Sequence, residues 1–122
     1  MSPKSIGTLE LEERGPTIVA RIAGELDLSN VDDTEATIVL SVTPDTKGLV
    51  IDLTGTTFLD STGIRMIFQL AGRLRSRRHQ LRLVADETTL VHRVLVLSQL
   101  DSIVPVDSSL AAALAAAEDG SS

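Results

Sequence analysis

Leu49-Val50-Ile51-Asp52-Leu53-Thr54-Gly55-Thr56-Thr57-Phe58-Leu59-Asp60-Ser61-Thr62-Gly63-Ile64 is the stretch that decides the fold. Its first five residues form a nearly unbroken aliphatic run and read as a buried strand. Thr54-Gly55-Thr56-Thr57 reads as a turn. From Ile64 onward the period changes from two to 3.6. Ile64, Ile67, Phe68, Ala71 and Leu74 then share one face of a helix. That stripe leaves Met66 and Leu70, an i, i+4 apolar pair, far around the helix and predicted to be exposed. Methionine suits an adaptable contact surface, so both are candidate partner-binding residues.

Between strand and helix stand Asp60, Ser61 and Thr62. Asp60 and Ser61 are both good N-cap residues. One reading of Ser61 is a cap for the helix. The other is a hydroxyl displayed for chemistry, beside the unpaired N–H groups and positive end of a helix dipole. Three polar groups in a row exceed the needs of one cap. Gly63 costs up to about 1 kcal/mol relative to alanine inside a helix, and its missing side chain is expected to let another molecule approach Ser61.

The strand followed by Phe58-Leu59-Asp60-Ser61-Thr62-Gly63-Ile64 resembles the signature of STAS domains, and more narrowly of bacterial anti-sigma factor antagonists. Gly24-Glu25-Leu26-Asp27 resembles the second recurrent motif of that family. The resemblance spans about residues 8–117, with 1–7 a lead and 118–122 a tail. It implies the STAS fold, an α/β domain with an open mixed sheet of about five strands and about four helices. It implies that Ser61 is the phosphorylation site. Unphosphorylated, the protein would bind an anti-sigma factor that is also a serine kinase and so release the sigma factor; a serine phosphatase would be the other partner. The contact residues implied are Asp27, Ser29, Asp60, Ser61, Thr62 and Gly63. One departure is Ser98-Gln99-Leu100, where the family often has Ser/Thr-Gly-Leu. The alternative is a STAS scaffold subunit of a stressosome-type or transporter-associated complex. The intact Asp60-Ser61 pair and the short chain favour the regulator.

Composition bounds the chemistry. A chain of 122 residues is one domain. It has no Cys and only two His, far apart, so no cofactor and no metal site are expected. A net charge of −6 argues against nucleic-acid binding, as does the lack of Trp and Tyr. No apolar run reaches the roughly 20 residues of a membrane span, and no hydrophobic signal core opens the chain. A cytoplasmic protein is expected. There is no Gly-x-Ser-x-Gly elbow, Walker loop or Gly-x-Gly-x-x-Gly, and no marked base for Ser61, so the protein is not expected to be an enzyme.

The rest of the chain alternates. Strands are expected over 8–12 and 17–23, joined by Gly15-Pro16 as a hairpin. Ser29 or Asn30 caps a helix over 31–42. Arg73, Arg75, Arg77, Arg78 and Arg82 read either as an anion-binding patch or as a solvated helix end, and the acidic whole favours the latter. A strand over 81–84 precedes a helix capped by Asp86 or Thr88. A short edge strand spans 103–106, marked by Pro105. Asp107 or Ser108 caps a last helix whose Leu110, Ala113, Leu114 and Ala117 face the core. The order β, β, α, β, α, β, α, β, α predicts parallel crossovers after the hairpin.

Overall fold

Alternation along the central strands parts the apolar residues into two layers. In the computed structural model, which describes residues 8–118, β1 (Thr8–Arg14) and β2 (Thr17–Leu26) form the antiparallel hairpin. β3 (Gly48–Asp52), β5 (Gln80–Val84) and β6 (Val106–Asp107) follow in parallel, and the sheet order is β1-β2-β3-β5-β6. Ile18, Ala20 and Ile22, with Leu49, Ile51, Leu81 and Leu83, point to one face, where α1 (Val31–Ser41), α2 (Ser61–Ser76) and α3 (Leu90–Leu97) complete the main core. Val19, Val50 and Val84 point to the other, covered by Ala113, Leu110 and Leu114 of α4 (Leu110–Glu118). The family-independent reading of mixed sheet and four helices is thus the observed architecture.

Two strands differ from expectation. Thr56 and Thr57, read as turn, open an additional strand, β4 (Thr56–Leu59), parallel to the far end of β2. β3 and β4 lie one after the other beside β2. The register shifts between Gly24 and Glu25 where one gives way to the other. Gly24 takes φ 84° there and donates its N–H to Gly55 O at 2.9 Å. Such a bulge with a left-handed glycine is not visible in an apolar pattern. The last strand shrinks to β6 (Val106–Asp107), with a 3-10 turn at Leu100–Ser102 before it. Pro105, lacking an N–H, only accepts a bond, from Leu83 N–H. Gln99 adopts the left-handed conformation, φ 64°, that glycine adopts more readily.

Asn30 and Asp60 stand at the N-caps of α1 and α2 as expected, while the caps of the last two helices move by one residue or more. Thr89 caps α3 and Ser109 caps α4, accepting from His92 and Ala112 N–H respectively. Asp107 is not a cap: it takes Arg82 in a two-pronged ion pair at 2.8 and 3.2 Å. Arg82 is therefore buried in β5 and does not belong to a solvated helix end. The predicted lead lies outside the described residues, as does the tail except Glu118, which ends α4.

Met66 and Leu70 correct the surface reading of α2. Both are buried, 1% and 2% exposed, whereas Ile64 and Phe68 are only half-buried. At roughly 100° per residue Met66 and Phe68 lie symmetrically about Ile67. The sequence therefore offers two equal stripes. Leu70 lies with Val39 of α1, Val42 just past its end and Leu49 of β3 around a small void. α1 thus covers the Leu70 side, and Met66 joins the same main core. The outer face falls instead to Ser61, Arg65, Gln69 and Gly72, all exposed.

Met66→Ala is expected to destabilise the domain by about 2–5 kcal/mol, read as a lowered urea midpoint. An unchanged midpoint would put Met66 back on the surface.

Candidate functional site

The same local turn recurs where the strands end. In Asp27-Leu28-Ser29, Asp52-Leu53-Thr54, Asp60-Ser61-Thr62 and Asp86-Glu87-Thr88, the aspartate carboxylate accepts both the backbone N–H and the hydroxyl of the residue two positions on. These turns stand at or just past the C-terminal ends of β2, β3, β4 and β5. An Asx turn of this kind stops a strand and satisfies its last donors locally. It also leaves the side chain of the middle residue outside the turn's own bonds. Leu28, Ser61 and Glu87 are exposed in that position, and Leu53 alone is buried. A fifth copy, Asp107-Ser108-Ser109, keeps its carboxylate for Arg82.

Parallel pairing brings two of these turns side by side. Leu26 and Leu59 are paired, and Asp60 N–H reaches Leu26 O at 3.4 Å. Asp27, Ser29, Asp60, Ser61 and Thr62 therefore share one edge, the C-terminal edge where open α/β sheets bind. Asp60 is the N-cap of α2: its Oδ1 accepts Thr62 N–H at 2.9 Å and Gly63 N–H at 3.1 Å. Burial pushes its carboxyl up, but the Thr62 hydroxyl and the N–H groups of Gly63, Thr62 and Leu28 outweigh that and hold it below the usual range. The Leu28 contact ties the two loops together through one carboxylate. Thr88 lowers the Asp86 carboxyl in the same way.

Ser61 is the first helical residue, not the cap. It is exposed, and its hydroxyl makes no hydrogen bond among the described residues. Thr62, its neighbour, has its hydroxyl committed to Asp60. The hydroxyl of Ser29 is likewise committed to Asp27. So of the hydroxyls expected at this edge, Ser61 presents the free one.

Gly63 serves a different end from the one expected. It is buried, and a Cβ there would stand 2.5 Å from Leu59 Cδ1 and 3.3 Å from Leu26 Cδ2. Its missing side chain lets the first turn of α2 close onto the ends of β2 and β4; it opens no path to Ser61. Met66 and Leu70 stay in the core, away from the edge. Asn30, expected as a cap, does stand at the N-cap of α1 but makes no side-chain cap bond; its amide accepts Asp27 N–H at 3.0 Å and donates to Glu25 O at 2.8 Å, bracing the first loop. Sequence reasoning missed Leu28, 74% exposed. The repeated Asp-x-Ser/Thr spacing was the signal that could have found the exposed middle residues.

Among the described residues no cluster of three His, Cys, Asp or Glu could hold a metal, and no helix is long and apolar enough to cross a membrane. A recess of about 890 Å³ is an open groove between α1 and α2 lined by Asp32, Glu35, Phe68 and Gln69 among others, with neither Ser61 nor Asp27 in its wall.

A family model described as STAS domain matches residues 8–113. Among solved structures, an anti-sigma factor antagonist from Mycobacterium paratuberculosis is 27% identical, with a TM-score of 0.83 over 95% of this chain and 97% of that one. The anti-sigma factor antagonist SpoIIAA in its unphosphorylated form is 21% identical, with a TM-score of 0.75 over 93% of this chain and 97% of its own. The Bacillus cell fate determinant SpoIIAA in its phosphorylated form is 20% identical, with a TM-score of 0.68 over 88% of this chain and 96% of its own. A comparison with curated proteins found no match.

Two outcomes follow from this geometry. Gly63→Val should cost about 2–3 kcal/mol by overpacking, roughly 10 °C in melting temperature; an unchanged melting temperature would contradict the packing role. Asp60→Ala should cost about 1 kcal/mol at neutral pH through the lost cap. The folded carboxyl titrates below its unfolded value, so this stability is complete above about pH 4 and fades as pH falls through the folded pKa. The gap in stability between parent and variant should therefore close in acid; a gap that stays constant to lower pH would contradict the assignment.

Proposed function

The chain belongs to the STAS domain family, and on that premise we propose that it is an anti-sigma factor antagonist whose binding is switched by phosphate on Ser61. The observation that carries the reading is the free, exposed Ser61 hydroxyl at the start of α2, between two residues that are bonded to each other. The likeness to an antagonist over nearly the whole length of both chains supports it. Its partners on this reading are an anti-sigma factor with serine-kinase activity and a serine phosphatase, and its place of work is the cytoplasm.

The chemistry asks little of this chain. Ser61 Oγ attacks the γ-phosphorus of an ATP held by the kinase. The bond to the ADP oxygen breaks, and the hydroxyl proton passes to a base of the kinase. The phosphatase reverses the modification with water, releasing inorganic phosphate. In the unmodified state the partner covers the edge formed by Asp27, Ser29, Asp60, Ser61 and Thr62. Leu28, exposed between Asp27 and Ser29, supplies the apolar contact that Met66 and Leu70 do not. Phosphate adds about −1.5 to −2 charges beside Asp60 and Asp27. Like charge facing an interface costs several kcal/mol, and about 3 kcal/mol is more than a hundredfold in affinity. No change of fold is needed.

Incubation with ATP and an anti-sigma factor that carries serine-kinase activity, followed by tandem mass spectrometry, is expected to place one phosphate on Ser61. Phosphate on Thr62 alone would overturn the reading. Ser61→Ala should keep partner binding, and Ser61→Asp should weaken it at least tenfold. Leu28→Ser should weaken binding without lowering the melting temperature, because that side chain is out in solvent; equal binding by the variant would remove Leu28 from the interface.

A further inference from the structure

Four residues after Ser61 stands Arg65, exposed on the same helix. That spacing puts two side chains on one face of a helix, one turn apart, with Cβ atoms roughly 5–6 Å from each other. Arg14, Arg21 and Arg82 all make ion pairs; Arg65 makes none among the described residues. The acids around it are also unspent on cations. Asp60 caps the helix with its own Oδ1, and Asp27 holds the next loop. On α1, Asp32 and Glu35 face the groove beside α2. Glu35 meets the amide of Gln69, oriented nitrogen-first, at 3.2 and 3.3 Å. The next cations along α2 are Arg73 and Arg75, the nearer about 12 Å along the axis from Arg65.

We infer that Arg65 is the intramolecular seat for phosphate on Ser61, an ion pair that exists only in the modified protein. This rests on Ser61 being the phosphoacceptor. A guanidinium presents parallel donors that fit two phosphate oxygens, and an acid four residues N-terminal to a base is the favourable order on a helix. Among the described residues Arg65 has no such partner in the unmodified chain. Once the phosphate is present, the pair draws it along the face of α2. It favours the dianion and shields the ester from hydrolysis. The residue sets how long the mark persists and takes no part in transferring it.

The test installs phosphoserine at position 61 genetically, which bypasses the kinase, and titrates it by phosphorus-31 NMR. The second ionisation of the phosphate should fall about 0.3 pH unit or more lower in the parent than in Arg65→Gln. Arg65→Lys should fall between, and Arg73→Gln should match the parent. Asp60 is already ionised across this range. His92, whose charge acts on Asp86, is common to all the proteins compared. A general phosphatase should release phosphate faster from Arg65→Gln than from the parent. Equal midpoints and equal release rates would overturn the inference. If the kinase ignores Ser61 while the midpoints still differ, the pairing stands and the switch falls. Melting temperatures of the unmodified proteins should agree, since Arg65 is exposed and bonds nothing among the described residues before modification.

Discussion

The carboxylate of Asp60 is the point on which the functional edge depends. It ends a strand, starts a helix, fixes the hydroxyl of Thr62 and receives an N–H from the neighbouring loop. Satisfying several donors with one acceptor is effective because each is a backbone or hydroxyl group that burial would otherwise leave unpaired. The arrangement places Ser61 by default: the residue between cap and second helical position has nothing left to bond. The hydroxyl is held by what its neighbours do, and Gly63 beneath lets the whole turn sit directly on Leu26 and Leu59.

Most of this was readable in the sequence. The aliphatic strand, the change of period at Ile64 and the Asp60 cap each leave a local mark, and the alternation of strands and helices defines the layer order. What was not readable depended on neighbours distant in the chain. Met66 and Phe68 lie symmetrically on the wheel, and only the presence of α1 beside Leu70 breaks the tie. Thr56 and Thr57 look like turn residues until β2, whose register shifts after Gly24, pairs with the strand they open. Arg82 looked like one more cation in a basic run; its partner, Asp107, is 25 residues on. Gly63 was noticed for the right reason, a missing side chain, but the space it vacates faces inward.

The two faces of the sheet are built on different terms. Three helices seal one with aliphatic side chains. The other has a single helix and a small apolar cluster, and beyond it the strands hold charge. Arg21 reaches Glu12 at 2.6 Å and Asp52 at 4.0 Å, and Arg82 lies buried against Asp107. The exposed pairs contribute little individually. The buried one sets direction: removing either partner would strand a charge, so β5 and β6 are bound to a single register.

The short β6 and the charged β1 have a consequence for how the molecule behaves in a crowd. A sheet left open at both sides invites a neighbour's strand to add itself, the route to fibrils and precipitates. Here one border is two residues long and preceded by a proline. The other carries Glu10, Glu12 and Glu13, like charges that repel a copy of themselves. Neither border offers a flat, apolar template. Such a domain can be made in abundance and still meet its own kind without sticking.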